Sequence, residues 1–164
     1  MSILSAFTLF HVLLSLGGIF SGFVVVVGLL KARNLKGWTA FFLWTTAATS
    51  VTGFLFPFRK LLPSHILGVL SLVVLAIAIV ALYRRHLEGG WRQTYVIASV
   101  IALYLNVFVL VVQLFQKIPS LKAIAPTQSE TPFKVTQLLV LVVFVALGAL
   151  ATRGFRDMLT TSLR

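Results

Sequence analysis

The chain has 164 residues, of which 59% are hydrophobic and only 10% charged, with a mean hydropathy of +1.05. A soluble domain carries about 25% charged residues, so this composition points to a lipid surrounding rather than an aqueous one. With 14 Lys and Arg against 3 Asp and Glu the net charge is +11, and the lack of cysteine excludes disulfides, thiolate zinc sites, iron–sulfur clusters and covalently attached c-type haem.

A bilayer core of about 30 Å needs roughly 20 apolar residues in a helix. The first stretch of that kind, Ile3 to Leu30, contains no charge. No basic residue precedes it and it is far longer than the apolar core of a signal peptide, so it is expected to persist as a helix. His11, Ser15, Gly18 and Gly22 fall on one stripe of it at steps of four, three and four, and the two glycines form GxxxG. In lipid, small and polar residues mark the faces on which helices pack. Lys31 to Gly37 then leads to a second stretch, Trp38 to Phe56, rich in hydroxyls at Thr45, Thr46, Thr49, Ser50 and Thr52.

After Pro57 to Ser64 comes a third stretch, His65 to Tyr83, with Gly68, Ser71 and Ala78 along it. The connection Arg84 to Gly90 holds His86, which reads as a solvated end residue beside Arg85 and Glu88. The fourth stretch, Trp91 to Phe115, places Thr94, Ala98, Ala102, Asn106, Val109 and Gln113 on a continuous stripe. Asn106 sits nearest mid-bilayer, where an unpaired amide costs several kcal/mol, so it must find a partner and serves as glue between helices. The longer connection, residues 116–134, carries Pro119, Pro126 and Pro132 and is expected to be an ordered, non-helical cap. The fifth stretch, Val135 to Thr152, opens near Gln137. The tail, residues 153–164, has Phe155, Met158, Leu159 and Leu163 at helical spacing among Arg153, Arg156 and Arg164. It reads either as an interfacial helix gripping anionic lipid or as a frayed helix end.

These runs are apolar on both faces, which excludes the period-two pattern of a membrane barrel. The fold expected is an all-α integral membrane protein, a single domain over residues 1–164 built as a bundle of five transmembrane helices. Lys31, Arg33, Lys36, Arg84, Arg85, Arg92, Arg153, Arg156 and Arg164 make nine basic residues on one side, against five (Arg59, Lys60, Lys117, Lys122 and Lys134) on the other. The richer side is expected to be cytoplasmic, with the N-terminus out and the C-terminus in. Trp38, Tyr83 and Trp91 would form an aromatic belt at the inner boundary.

The three acids, Glu88, Glu130 and Asp157, all lie outside the apolar stretches, so no span offers the carboxylate that a proton-driven pump uses. All five prolines also lie outside, which argues against the broken helices of secondary transporters. No phosphate-cradling glycine loop, metal-ligand motif or nucleophile–base pair is present, so no catalytic residue and no metal site are expected. Basic residues that flank apolar spans act as topology signals and headgroup contacts, so nucleic acid is not an expected partner.

Counting about 20 residues back from Leu30 brings His11 to the outer boundary of the hydrocarbon, where His65, Gln113 and Gln137 also fall, with Thr52 about a turn deeper. Three readings compete for this polar group and the loop above it. One is a b-type haem between His11 and His65, with Arg59 or Lys60 pairing the propionates. Another is a quinone or lipid-headgroup pocket built from Thr52, Asn106, Gln113 and Gln137, with Phe54, Phe56, Phe58 and Phe133 as aromatic walls. The third is that these groups satisfy one another or meet interfacial water. Ser15, Gly18, Gly22, Ala98 and Ala102 are expected to serve helix packing.

The phrases Trp38-Thr39, Thr49-Ser50-Val51-Thr52-Gly53-Phe54, Asn106 to Gln113 and Ala125-Pro126-Thr127-Gln128-Ser129-Glu130 resemble those of small uncharacterised proteobacterial multi-pass inner-membrane proteins. That resemblance implies a bacterial inner membrane and brings no activity with it. The function expected is a non-enzymatic membrane component, an accessory subunit or a small-ligand- or lipid-binding protein with a polar outer-leaflet pocket. Its expected partners are membrane lipids and either a larger membrane complex or further copies of itself. The rivals are an electron-transfer subunit holding one b-type haem or a quinone, and an oligomeric channel lined by the second span and the Asn106 stripe.

Overall fold

The structure is a computed structural model that describes residues 3–56 and 63–161, with side chains of residues 63–64 and 156–161 left aside. Every regular element within it is helical. The order is α1 (Ile3–Leu30), α2 (Lys36–Gly53), α3 (Pro63–Ile79), α4 (Trp91–Lys117), α5 (Pro119–Ile124) and α6 (Thr131–Thr161). α3 runs on into a π-helical turn, Val80–Arg84, where the Arg85 N–H reaches back to the Val80 carbonyl at 2.9 Å.

Four segments, Ile3–Leu30, His65–Arg84, Trp91–Lys117 and Thr131–Phe155, are long and apolar enough to cross a membrane. The molecule is therefore an all-α bundle of multi-pass membrane type. The second stretch is not one of the four, because hydroxyls and Lys36 dilute its apolar content over only 18 residues. The helices pack as a closed circuit. α2 lies against α1 and α3, α4 against α3 and α6, and α1 crosses the middle to touch α4 and α6. α4 forms the axis, with Tyr95, Val96, Ala98, Ala102 and Leu103 buried against Val25, Val26, Leu29, Phe42 and Leu75.

Two expected boundaries shift for local reasons. α2 stops at Gly53, where the Phe54 and Leu55 N–H groups bond three residues back, to Val51 and Thr52, in a tightened last turn. The fifth stretch and the tail are one helix, since α6 starts at Thr131 and continues past Thr152 through Thr161. The connection between α4 and α6 is ordered but not free of helix, because Pro119 starts the short α5, a position where its missing N–H has no bond to lose. Beneath it Ala125 is fully buried with Val111 and Phe115, and Phe133 packs edge-on to Phe115 at 5.3 Å.

The loop after α5 is fastened by Glu130. Its carboxylate accepts the Thr127 hydroxyl at 2.8 Å, the Thr127 N–H at 3.1 Å and the Ser129 N–H at 3.0 Å. Desolvation acts to raise the Glu130 pKa, but the Thr127 hydroxyl and the backbone N–H groups of Glu130, Thr127 and Ser129 outweigh it and hold the carboxyl below its ordinary 4.5. Gln128, at φ +60°, turns its amide to the Val112 carbonyl (3.2 Å) and to Gln116 (3.4 Å), tying the loop to the end of α4.

Candidate functional site

The candidate polar residues sort into three separate places. At the first, His11 of α1 meets the last turn of α2, with Nδ1 at 2.8 Å from the Thr52 hydroxyl oxygen. That hydroxyl donates to the Ala48 carbonyl at 2.7 Å, so its remaining role toward His11 is that of acceptor. The Nδ1–H tautomer follows, and it leaves Nε2 as the nitrogen with a lone pair. Phe56 stands edge-on to the imidazole at 5.1 Å, and Phe7 touches Phe56 at 4.9 Å. The half-buried His11 thus presents Nε2 beside an aromatic pair at the capped end of the bundle.

His65 lies on the neighbouring helix, buried, with the Phe54 ring 5.7 Å from its own. The same Phe54 ring occupies the space over Gly68, where a Cβ would come within 3.0 Å of it. The two histidines are therefore engaged by different parts of one turn, His11 by Thr52 and Phe56, His65 by Phe54. Arg59 and Lys60, the expected propionate partners, and Phe58 lie outside the described residues.

The second place is the α4–α6 contact. Gln137 is buried and donates from Nε2 to the Phe108 carbonyl at 3.2 Å, while its Oε1 is buried without a partner. Phe133 belongs here as well, one turn earlier and under the loop. Gln113 departs from the expectation, because it is exposed on the outside of α4 rather than turned toward either place.

The third place is deeper, where α1, α2 and α4 meet. Asn106 donates from Nδ2 to the Thr46 hydroxyl at 3.1 Å, a pair 60 residues apart in sequence. Gly18 makes room for this bond, since a Cβ there would sit 3.2 Å from the Thr46 hydroxyl and 3.5 Å from the Asn106 amide nitrogen. One turn on, a Cβ at Gly22 would clash with Leu103 at 2.6 Å and Phe42 at 2.8 Å. Ala98 and Ala102 are buried on the α4 side, and Ser15 is half-buried. Further bonds join the bundle nearby, Ser50 to Ser71 at 3.1 Å and Thr39 to the Tyr95 hydroxyl at 3.3 Å. Thr46 did not stand out in the sequence, since one threonine among many in α2 carries no mark of its distant partner.

Most remaining hydroxyls turn back on their own helices. Ser21 donates to the Gly17 carbonyl, Thr45 to Phe41 and Thr152 to Gly148, at 2.7, 2.7 and 2.9 Å. A separate apolar groove of about 320 Å³ opens between α4 and α6, with Tyr104 and Phe144 on its walls and Gly148 in its floor. It includes none of the expected pocket residues. Compared with protein-family models, with curated proteins and with solved structures, the chain shows no match.

Proposed function

We propose that this chain is a non-enzymatic component of a bacterial inner membrane that binds a small hydroxyl-bearing ligand, a quinol or a lipid headgroup, at the His11–Thr52 site. The observation that carries the reading is the held imidazole. Thr52 fixes Nδ1–H, so Nε2 can accept a hydrogen bond from a ligand lying against Phe7 and Phe56. In this reading the capped end is the working face, and the protein acts there as a ligand-binding or accessory subunit.

The reading includes five spans, with α2 as the fifth. An 18-residue helix covers about 27 Å, close to the hydrocarbon thickness. Thr45, Ser50 and Thr52 bond to carbonyls of the same helix, Ser50 also meets Ser71 of α3 and Thr46 meets Asn106 of α4, which lowers the cost of these side chains in lipid, while the Thr49 hydroxyl is buried without a partner. Lys31, Arg33, Lys36, Arg84, Arg85, Arg92 and Arg153 gather at the end where α1 finishes, against Lys117, Lys122 and Lys134 at the end of α4. That bias supports the N-terminus outside and the C-terminus inside. The inner-membrane assignment rests on the resemblance of its sequence phrases.

The test is a titration of the detergent-solubilised protein with a short-tailed ubiquinol, followed through the His11 imidazole nitrogens by NMR. Saturable binding is expected, weakened up to about tenfold in His11→Phe by loss of one hydrogen bond, with His65→Phe little changed. Equal binding by wild type and His11→Phe would overturn it. The held tautomer also suits Nε2 ligation of haem iron. A Soret band on adding haemin, lost in His11→Phe, would favour that rival, and no band removes it.

A further inference from the structure

The opposite end of α1 holds a second, unrelated feature. Between the last turns of α1 and the loop into α2 lies a groove of about 330 Å³. Phe20, Phe23, Val24 and Val27 form its wall along the helix, and Lys31 and Arg33 line its mouth. The wall residues Phe20, Phe23 and Val27 are exposed, so the slot faces outward from the bundle.

The loop geometry sets both cations at this mouth. α1 ends in a left-handed residue, Ala32 at φ +55°, and the Arg33 N–H then donates back to the Gly28 carbonyl at 2.8 Å. The turned chain lies directly on the helix, and the glycine at position 28 gives it room to do so. A Cβ there would stand 3.0 Å from the Leu35 side chain and 3.1 Å from the Arg33 carbonyl. Lys31 and Arg33 therefore flank the slot through a hydrogen-bonded turn rather than a free loop. Among the described residues neither forms an ion pair. Lys36, Arg84, Arg85, Arg92 and Arg153 surround this end, where Glu88 is the acid among the described side chains, and Glu130 lies at the other end. Trp38 stands edge-on to Phe20 at 5.9 Å, an amphipathic ring at the rim where headgroups begin.

An occupant must be apolar along four side chains and anionic at one end. A free phosphate satisfies only the mouth, and an apolar partner helix satisfies only the wall. We propose that the groove binds an anionic phospholipid, with the phosphate between Lys31 and Arg33 and one acyl chain along Phe20, Phe23, Val24 and Val27. Its site lies at the far end of the bundle from His11 and stands independently of the ligand proposed there.

Native mass spectrometry of the full chain in mild detergent tests this with phosphatidylglycerol, phosphatidylcholine of identical chains, and inorganic phosphate. Phosphatidylglycerol should be retained one-to-one, on the order of tenfold better than phosphatidylcholine. Lys31→Gln with Arg33→Gln should abolish that preference, while Lys117→Gln with Lys122→Gln, an equal charge loss at the other end, should preserve it. Val24→Trp, which fills the slot and leaves the charges, should weaken retention severalfold. The proposal is overturned if the Lys31/Arg33 pair can be neutralised without effect, if the Lys117/Lys122 pair matters equally, or if Val24→Trp binds like wild type. It is also overturned if inorganic phosphate competes as well as the lipid does.

Discussion

The seam of α1, α2 and α4 and the long helix α6 solve the same problem in opposite ways. Half of the α4 span is buried, against 17% of the α6 span. At the seam, glycines bring backbones close enough for Leu103 and Phe42 to touch α1 directly, and one amide–hydroxyl bond crosses between α4 and α2. α6 carries branched side chains outward instead, with Leu138, Leu139, Val142, Val143 and Val145 all exposed. Its inward face is held by Gln137 to the Phe108 carbonyl, by the buried Phe144 and Ala151, and by Phe155, which is buried under the Arg92 guanidinium at 5.6 Å. Since lipid tails are as apolar as leucine, hydrophobicity gives helices no reason to associate, and close packing and hydrogen bonds must do so. The seam has both along its length, whereas α6 packs through Phe144, Ala151 and Phe155 beside a groove and bonds to α4 through Gln137.

Breaking this contrast begins at Gly22. Gly22→Leu drives new atoms into Leu103 and Phe42 and should destabilise the bundle by about 3 kcal/mol, the upper part of the overpacking range. Unfolding by sodium dodecyl sulfate, followed by circular dichroism, measures it; a shift below about 1 kcal/mol would mean the seam is looser than its geometry. Gly154→Ala should follow at about 1–2 kcal/mol, because its Cβ would stand 2.8 Å from the Leu30 carbonyl oxygen, a backbone atom that cannot swing aside. That substitution tests whether α6 is anchored at its far end.

Asn106→Leu removes one interhelical hydrogen bond and should cost about 0.6–1.5 kcal/mol in the same assay. Gly148→Ala, in the α4–α6 groove, meets only Val100 at 3.6 Å and should stay within about 0.5 kcal/mol of wild type. A large loss there would erase the distinction between the seam and α6. The smallest effect is expected at the Glu130 loop. Its folded pKa is depressed, so its contribution is present above the ordinary 4.5 and disappears as pH falls through the folded value. Amide exchange of residues 127–131 should accelerate below that range, and Glu130→Gln should show the fast behaviour at neutral pH.

Much of the seam was legible. GxxxG at Gly18 and Gly22, the alanines at 98 and 102, and an amide at mid-span each announce close packing, because these residue types are poor choices for facing lipid. What α2 does was less legible. It was expected as one of five spans, but its composition falls short of the four apolar ones, and which of its hydroxyls bond back to carbonyls three and four residues away depends on a formed helix. The polar cluster was legible in its members and not in its grouping. Depth along a helix can be counted, but the direction in which a side chain points around it cannot. His11 and Thr52 turn toward one another, Gln137 turns toward Phe108, and Gln113 turns outward.

Residue order alone determined the helical stretches, their apolar character, the basic bias of one end and the short list of groups that would need partners. Those are local properties, written in runs of like residues and in spacings of three and four. Tertiary structure decided which partner each group received. Asn106 found Thr46 across 60 residues, Phe54 covered His65, and a turn held by Gly28 set Lys31 and Arg33 at the mouth of an apolar slot. The physical reason is that the rotation of each helix about its axis is set by the closest contacts of the whole bundle, such as Gly22 against Leu103 and Phe42, and no single helix contains that information.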